Sequence, residues 1–510
     1  MRAAKRAAGL APLVLASTLA AWGAGPNILL MMADDLGWND VGFNGSAIET
    51  PAIDSLASGG LRLDRYYAFS LCTPTRVAIM TGRSPLRFGI FGPIIDHGGL
   101  PLEETTVGEI FRDAGYQTWY LGKWHLGHGR RAYFPNERGW DHSYGSLTGG
   151  LDHYSHNSDV LMGAPDWHRN GEPIEEEGHT TDLYTQEALR LLEGRDKETR
   201  FFMYVSWNAP HAPLQAVEPY LERYARVDDE VRRTYAAMVT HLDDSVASLI
   251  EALEREGLRQ DTLVIWVSDN GGIPSGGGNN SPLHGGKGSP YEGGTRVPGL
   301  VNWPGTIEPG VLSQQVSALD WLPTLLSATG VPRTDSKPLD GFDMWPAIAA
   351  GRSVERGDLV FGSNFGRALF RGKWKYVETV PGWLGLGGPG RRPGQGPPGR
   401  AGGARRPGQG PPGGRGGAGR PGPPGRGRPQ QRSQQALYDV YADPTESNNL
   451  AAEHPDLVNE LAAFVRSFHA DVPSIARGFG LRDGGTFARV GPMATFPEDR
   501  GAHVIDRVDE

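Results

Sequence analysis

Residues 26–35 read PNILLMMADD: an apolar run that ends abruptly at Asp34 and Asp35. A short, continuous apolar run without helical spacing predicts a strand buried on both faces. Three further stretches repeat the pattern. Residues 117–121 lead into Gly122-Lys123-Trp124-His125. Residues 200–207 (RFFMYVSW) lead into Asn208-Ala209-Pro210-His211. Residues 262–268 (TLVIWVS) lead into Asp269-Asn270-Gly271-Gly272. Between them, residues 50–59, 106–114, 184–192 and 228–256 carry apolar side chains at helical spacing. Strands alternating with helices predict an α/β fold with a large, mostly parallel sheet flanked by helices.

Each strand ends in polar or ionisable residues. Ligands of open α/β sheets bind outside the carboxyl ends of the strands. Asp34, Asp35, Lys123, His125, His211, Asp269 and Asn270 are therefore expected at one edge. Taken singly, each has an ordinary explanation, because acidic pairs cap turns and helices and a lone His is usually structural. Four strands sharing the pattern argue for one site.

Composition bounds the rest. Hydrophobic residues make up 38% and charged residues 21% of 510 residues, enough for a large core. Residues 385–435 stand apart, with 19 Gly, 11 Pro, 10 Arg and no acid. This insert is expected to stay disordered. RRPGQGPPG occurs at 391–399 and again at 405–413, without a sustained collagen period. The chain carries a formal charge of −9, and outside the insert 40 basic residues face 59 acidic ones. Such an acidic body argues against a nucleic-acid partner. No apolar stretch reaches the length of a membrane span.

Arg2, Lys5 and Arg6 precede a mostly apolar stretch with small residues after it. That order predicts a signal peptide over residues 1–24 and an exported, periplasmic or extracellular protein. A catalytic domain is expected over 25–351. A smaller α+β subdomain with an antiparallel sheet is expected over 352–510, interrupted by the insert at 385–435.

The single cysteine excludes a disulfide framework and a multi-cysteine metal site. It lies in Cys72-Thr73-Pro74-Thr75-Arg76, continuing to Thr81-Gly82-Arg83. Pro74 suits a first helical turn, so Cys72 is expected at a helix N-terminus, with Arg76 one turn on and able to turn back toward it. That setting alone admits a low-pKa nucleophilic cysteine.

Cys-x-Pro-x-Arg followed by Thr-Gly-Arg resembles the first signature of the type I, formylglycine-dependent sulfatases. Residues 115–127, from Gly115-Tyr116 to Gly122-Lys123-Trp124-His125-Leu126-Gly127, resemble the second. Asp34-Asp35, Asn208-Ala209-Pro210-His211-x-Pro213, Asp269-Asn270-Gly271 and Lys287 in GGKGSPYEGGTR follow in the family's order. The resemblance spans residues 26–350, with LYDVYADPTESNNL near the tail. Lys337-Pro338-Leu339-Asp340-Gly341-Phe342-Asp343 and Asn279-Asn280-x-Pro282-Leu283 are similar to the arylsulfatase B (N-acetylgalactosamine-4-sulfatase) branch.

The resemblance implies an alkaline-phosphatase-like fold and conversion of Cys72 to Cα-formylglycine by a separate formylglycine-generating enzyme. One hydroxyl of the hydrated aldehyde attacks sulfur and releases the alcohol. Deprotonation of the other re-forms the aldehyde and expels sulfate. Asp34, Asp35, Asp269, Asn270 and the matured residue 72 are implied to hold one divalent cation. Oxygen donors favour Ca²⁺ over Mg²⁺ there. Arg76 and His125 are implied to orient and deprotonate the diol, Lys123 and Lys287 to hold sulfate oxygens, and His211 to protonate the leaving oxygen. The implied substrate is a sulfated sugar, 4-sulfated N-acetylgalactosamine or a related galactose sulfate. Asp152, His153, Tyr154, His156 and His284 are candidates for contacts to sugar hydroxyls. Two alternatives stand beside this: a formylglycine-dependent phosphodiester or phosphonate ester hydrolase, and a sulfated-glycan binder without catalysis.

Overall fold

The computed structural model describes residues 25–333, 335–379 and 434–470, and the short paired strands Met493–Thr495 and His503–Ile505. The expected signal peptide lies outside the described residues. So does the Gly/Pro/Arg insert up to residue 433, while its last two residues begin the strand Gln434–Asp439.

A ten-stranded mixed sheet forms the body. Its centre is the parallel set Thr262–Ser268, Asn27–Ala33, Phe201–Ser206, Gln117–Gly122 and His142–Gly145. Gly299–Asn302 adds antiparallel to Thr262–Ser268, and Leu61–Leu63 and Gly310–Leu312 extend that side. Two-residue strands, His168–Arg169 and Glu172–Pro173, close the other side.

The central strand shows why its sequence has no polar face. Ile28, Leu30 and Met32 enter one core, whereas Leu29, Met31 and Ala33 enter the other. On the first face lie the helices Cys72–Thr81, Val107–Asp113 and Trp321–Thr329, through Val77, Ile110 and Leu322 among others. On the second lie Pro51–Ser58, Thr180–Gly194 and Glu230–Arg255, through Ile53, Tyr184 and Leu242. A sheet covered on both sides buries every residue, alternately into one core and the other.

The smaller sheet runs Leu359–Ser363, Gly366–Arg371, Trp374–Thr379, Gln434–Asp439, all antiparallel, with the helix Pro455–Ala470 packed on it. It leans on the segment that leads to Cys72. Phe370 meets Tyr67 at 4.7 Å between ring centroids, and Phe361 meets Phe69 at 5.0 Å. Lys375 reaches from this sheet into the body, 2.9 Å from Glu292 and 2.8 Å from Glu446, with all three side chains buried. Among the described residues no helix is long and apolar enough to cross a membrane.

Candidate active site

Strand register brings the chemistry together. Gly122 pairs with Ser206, Ser206 with Met32, and Ala33 with Ser268. The hydrogen bonding continues past the strand ends: Lys123 N donates to Ser206 O (2.9 Å), Asp269 N to Ala33 O (3.1 Å) and Asp34 N to Ala209 O (3.1 Å). Lys123, Asp34 and Asp269 therefore leave the sheet side by side. Gly122 permits this with φ of 104°, and a Cβ there would lie 1.9 Å from Ser206 O.

Cys72 is the first residue of the helix Cys72–Thr81, after an extended Leu71. Thr75 Oγ1 lies 2.6 Å from Asp269 O, which ties the first turn to the strand end. At the other end, Gly82 adopts φ of 62°, and Asp340 N and Gly341 N both donate to its carbonyl. Asp340 also receives Ser84 N and the Arg87 guanidinium. The 337–343 motif thus anchors the tail of this helix. Asn280 does the same for the neighbouring loop, bonding Gly272 N, Gly272 O and Gly285 O while Lys287 N donates to Gly272 O.

The predicted residues converge. Cys72 Sγ lies 3.3 Å from His125 Nδ1. Lys123 Nζ is paired with Asp34, and Lys287 Nζ lies 2.6 Å from Asp35 Oδ1. His211 Nε2 is 3.7 Å from Asp35 Oδ2, and Asn270 Nδ2 is 2.8 Å from Asp35 Oδ1. Arg76 lies one turn on from residue 72 in the same helix and is fully buried. Its guanidinium donates to Lys123 O and Ser206 Oγ at 2.6 Å each and to Asp269 Oδ2 at 2.9 Å. It fixes the strand ends. Ser206 has a hydroxyl at this junction that sequence reasoning passed over, because an apolar run hides it.

Two site residues occupy the left-handed region, Asp35 at φ 65° and His125 at φ 56°. Each costs about 1–2 kcal/mol for a residue with a Cβ, and such strain concentrates at functional sites.

A low-pKa thiolate at Cys72 is not what the structure supports. Burial pushes the thiol above its ordinary value against the pull of Lys123 and Lys287. Burial, then Lys123 and Arg76, hold His125 far below the usual imidazole range, so it is neutral. Burial and the adjacent Asp34 push Asp269 up to about 7. Asp34 is held well below the carboxylate range despite its burial, by Lys123, His211 and Arg76.

A cation fits here. Asp34 Oδ1 and Asn270 Oδ1 are buried without a hydrogen-bond partner. Donor atoms of Asp34, Asp35 and His211 lie within 4.8 Å of one another. The carboxylates and the amide oxygen form a donor set suited to a hard ion. A second group, His179, Asp182 and His241, also brings donors within 4.8 Å. There Nδ1 of His179 accepts from Thr181 N and Nε2 donates to Gln215 O, so that ring has no lone pair left for a metal.

Of the residues expected to touch sugar, three are structural. His153 and His156 are buried, and His156 stacks on Trp167 at 4.3 Å. Asp152 caps its own turn through Tyr154 N and Ser155 N. Tyr154 and His284 remain exposed.

A sulfatase family model matches residues 26–331. Arylsulfatase J of Mus musculus is 35% identical over 344 residues, 66% of this chain and 58% of that protein. N-acetylgalactosamine-6-sulfatase of Mus musculus is 33% identical over 377 residues, covering 69% of this chain and 71% of that protein. The chain thus spans less than two thirds of the arylsulfatase J it matches. Among solved structures, Ps i-CgsB in complex with k-i-k-neocarrahexaose superposes with a TM-score of 0.72 at 30% identity, covering 88% of this chain and 94% of that one. With its sheet, its strand-end cluster and these matches, the chain belongs to the sulfatase family, the sulfuric ester hydrolases.

Proposed function

We propose that this protein is an exported sulfatase that removes sulfate from a sugar or glycan, with Cys72 matured to Cα-formylglycine by a formylglycine-generating enzyme. The substrate we favour is 4-sulfated N-acetylgalactosamine or a related galactose sulfate. The observation that carries the reading is Cys72 Sγ lying 3.3 Å from neutral His125, at the rim of an oxygen-rich donor cluster. Export rests on the basic and apolar order of residues 1–24.

The matured residue, as an aldehyde hydrate, would supply one hydroxyl to attack sulfur and a second whose deprotonation expels sulfate. Asp34, Asp35, Asp269, Asn270 and residue 72 would hold the cation, Ca²⁺ in preference to Mg²⁺, which lowers the pKa of bound hydroxyls and neutralises sulfate charge. The chain's own groups do the rest. His125 Nδ1 faces residue 72 and accepts a proton there. Lys123 and Lys287 hold sulfate oxygens from opposite carboxylates, Asp34 and Asp35. Arg76 fixes Asp269 and the Lys123 carbonyl. His211 donates from Nδ1 to Ala212 O at 2.6 Å, so Nε2, 3.7 Å from Asp35 Oδ2, protonates the leaving oxygen from the imidazolium form, which burial and Lys287 oppose and Asp35 and Asp34 favour.

The test is sulfate release by protein co-produced with a formylglycine-generating enzyme, on sulfated oligosaccharides, 4-nitrophenyl sulfate and an aryl phosphodiester. We expect inorganic sulfate from at least one oligosaccharide, and a far slower phosphodiester. Turnover of aryl sulfate with every glycan inert would remove the sugar from the proposal. Preference for the phosphodiester would move the protein to the other hydrolase class. Retention of sulfated glycan without any turnover would favour a binder.

A further inference from the structure

Two buried imidazoles stand behind the segment that carries His211. The rings of His153 and His179 stack at 4.8 Å between centroids, 2° from parallel. Their hydrogen bonds fix the same tautomer in each. Thr180 Oγ1 lies 2.6 Å from His153 Nδ1, and His153 Nε2 lies 3.4 Å from His211 O. A carbonyl only accepts, so Nε2 bears the proton and Nδ1 accepts from the hydroxyl. In His179, Nδ1 accepts from Thr181 N (3.2 Å) and Nε2 donates to Gln215 O (2.9 Å). Residues 211–215 are therefore gripped by an imidazole N–H at each end. Gln215 adds to the grip, since its Oε1 accepts from His153 N (2.7 Å) and its Nε2 donates to Asp152 Oδ2 (2.8 Å).

The structure assigns His153, with His179 beside it, as a positioning residue for His211: the imidazole pair holds the backbone that aims His211 Nε2 at the leaving oxygen. This rests on the reading of His211 as the acid. The arrangement works only while both rings are neutral, because a proton on Nδ1 would meet a donor at Thr181 N. Burial agrees with that, pushing His153 down to about 3 and His179 to about 4. The remaining side chain of His211 has little else to orient it. Nδ1 bonds its neighbour's carbonyl, and Nε2 stands 3.7 Å from Asp35. The aim of the ring is then set by the backbone, which is held on its N-terminal side by His211 N donating to Asn208 O (2.8 Å) and Asp34 N to Ala209 O (3.1 Å), and from His211 O to Gln215 O by the two histidines.

Leaving-group dependence separates positioning from mere stability. An acid matters most when the departing phenol is a poor leaving group. Matured His153→Asn, His153→Gln and His211→Asn are compared with the parent on 4-nitrophenyl sulfate and on phenyl sulfate. Asn keeps a polar group near the Nδ1 position, and Gln keeps a donor near Nε2. We expect His153→Asn to lower kcat/KM by ~100-fold on phenyl sulfate and by less than ~5-fold on 4-nitrophenyl sulfate. His153→Gln should recover most of the phenyl sulfate activity, and His211→Asn should show the same imbalance as His153→Asn, more strongly. Equal losses on both esters, or a Gln variant no better than Asn, would overturn the assignment while leaving His211 as the acid. A His211→Asn variant without leaving-group imbalance would overturn the acid role itself, and the assignment with it. Thermal unfolding of each variant shows that the comparison is made on folded protein.

Discussion

Nδ1 of His125 lies 3.3 Å from Sγ of Cys72, and the ring that makes this contact is backed by Gly149. A Cβ at Gly149 would fall 2.3 Å from His125 Cε1 and 2.6 Å from Nε2. Those separations are well inside van der Waals contact, so a side chain there must push the ring away from residue 72. Gly149→Ala is expected to lower kcat by ~100-fold, the scale of a 1 Å misplacement. KM should change little, because the sulfate contacts lie elsewhere. Steady-state kinetics on 4-nitrophenyl sulfate checks this, and an unchanged kcat would mean that the ring does not act at residue 72.

Position 72 itself separates attack from release. Cys72→Ser presents one hydroxyl and no second one. We expect at most a single turnover, with sulfate retained on the protein, and no steady-state rate. Rapid-quench measurement of the released phenol against enzyme concentration checks this. Sustained turnover by the Ser variant would argue for direct attack by water.

A chelator should act on fold and activity together. Lys123, Lys287 and Arg76 pair with the buried Asp34, Asp35 and Asp269, yet Asp34 Oδ1 and Asn270 Oδ1 keep no hydrogen-bond partner, and a bound cation would satisfy them. Loading the cation to 100 times its Kd stabilises the fold by about 2.7 kcal/mol. We expect EDTA to lower both the thermal midpoint and the rate, and Ca²⁺ to restore both better than Mg²⁺. Unfolding curves with and without each ion check this.

The loop behind His125 has its own anchor. Asp166 is buried and accepts Leu147 N (3.1 Å), Thr148 N (2.8 Å) and Thr148 Oγ1 (2.6 Å), while Leu147 O accepts His125 N. Burial opposes ionisation, but the His168 and Thr148 contacts and the Leu147 amide hold its carboxyl below the ordinary value. A depressed carboxyl contributes stability that is present above the unfolded value of about 3.9 and fades as pH falls through the lower folded value. Asp166→Asn is therefore expected to cost about 1–3 kcal/mol near neutrality. Its deficit relative to the parent should shrink below about pH 4. Denaturant unfolding of both proteins across pH checks the sign.

Much of this architecture was legible in the chain. The central strands announce themselves because both faces are buried and no residue in them needs to be polar. Thr262–Ser268 falls where the apolar run ends, and Asp269 follows it directly. The short strands toward one side of the sheet were not legible. Leu61–Leu63 and Gly310–Leu312 are three residues each, too short for any period to show. Cys72 lies at the helix terminus that Pro74 predicts, whereas the burial that raises its thiol is not written in local sequence. For the same reason local sequence leaves His153 open between a sugar contact and a structural role. A His between Asp152 and Tyr154 looks like a sugar contact until its ring is found stacked on His179, whose partner Gln215 lies far along the chain. The three acceptors of Arg76 come from three different strand ends, a convergence only tertiary structure provides.

The account stands or falls on the chemical state of residue 72. The direct measurement is the mass of the proteolytic peptide containing Cys72, from protein produced with a formylglycine-generating enzyme. The account predicts loss of about 18 Da relative to the cysteine peptide, as CH2SH becomes CHO, with a hydrated form alongside it. A peptide that carries only the unmodified thiol, from protein that nevertheless releases sulfate, would contradict it.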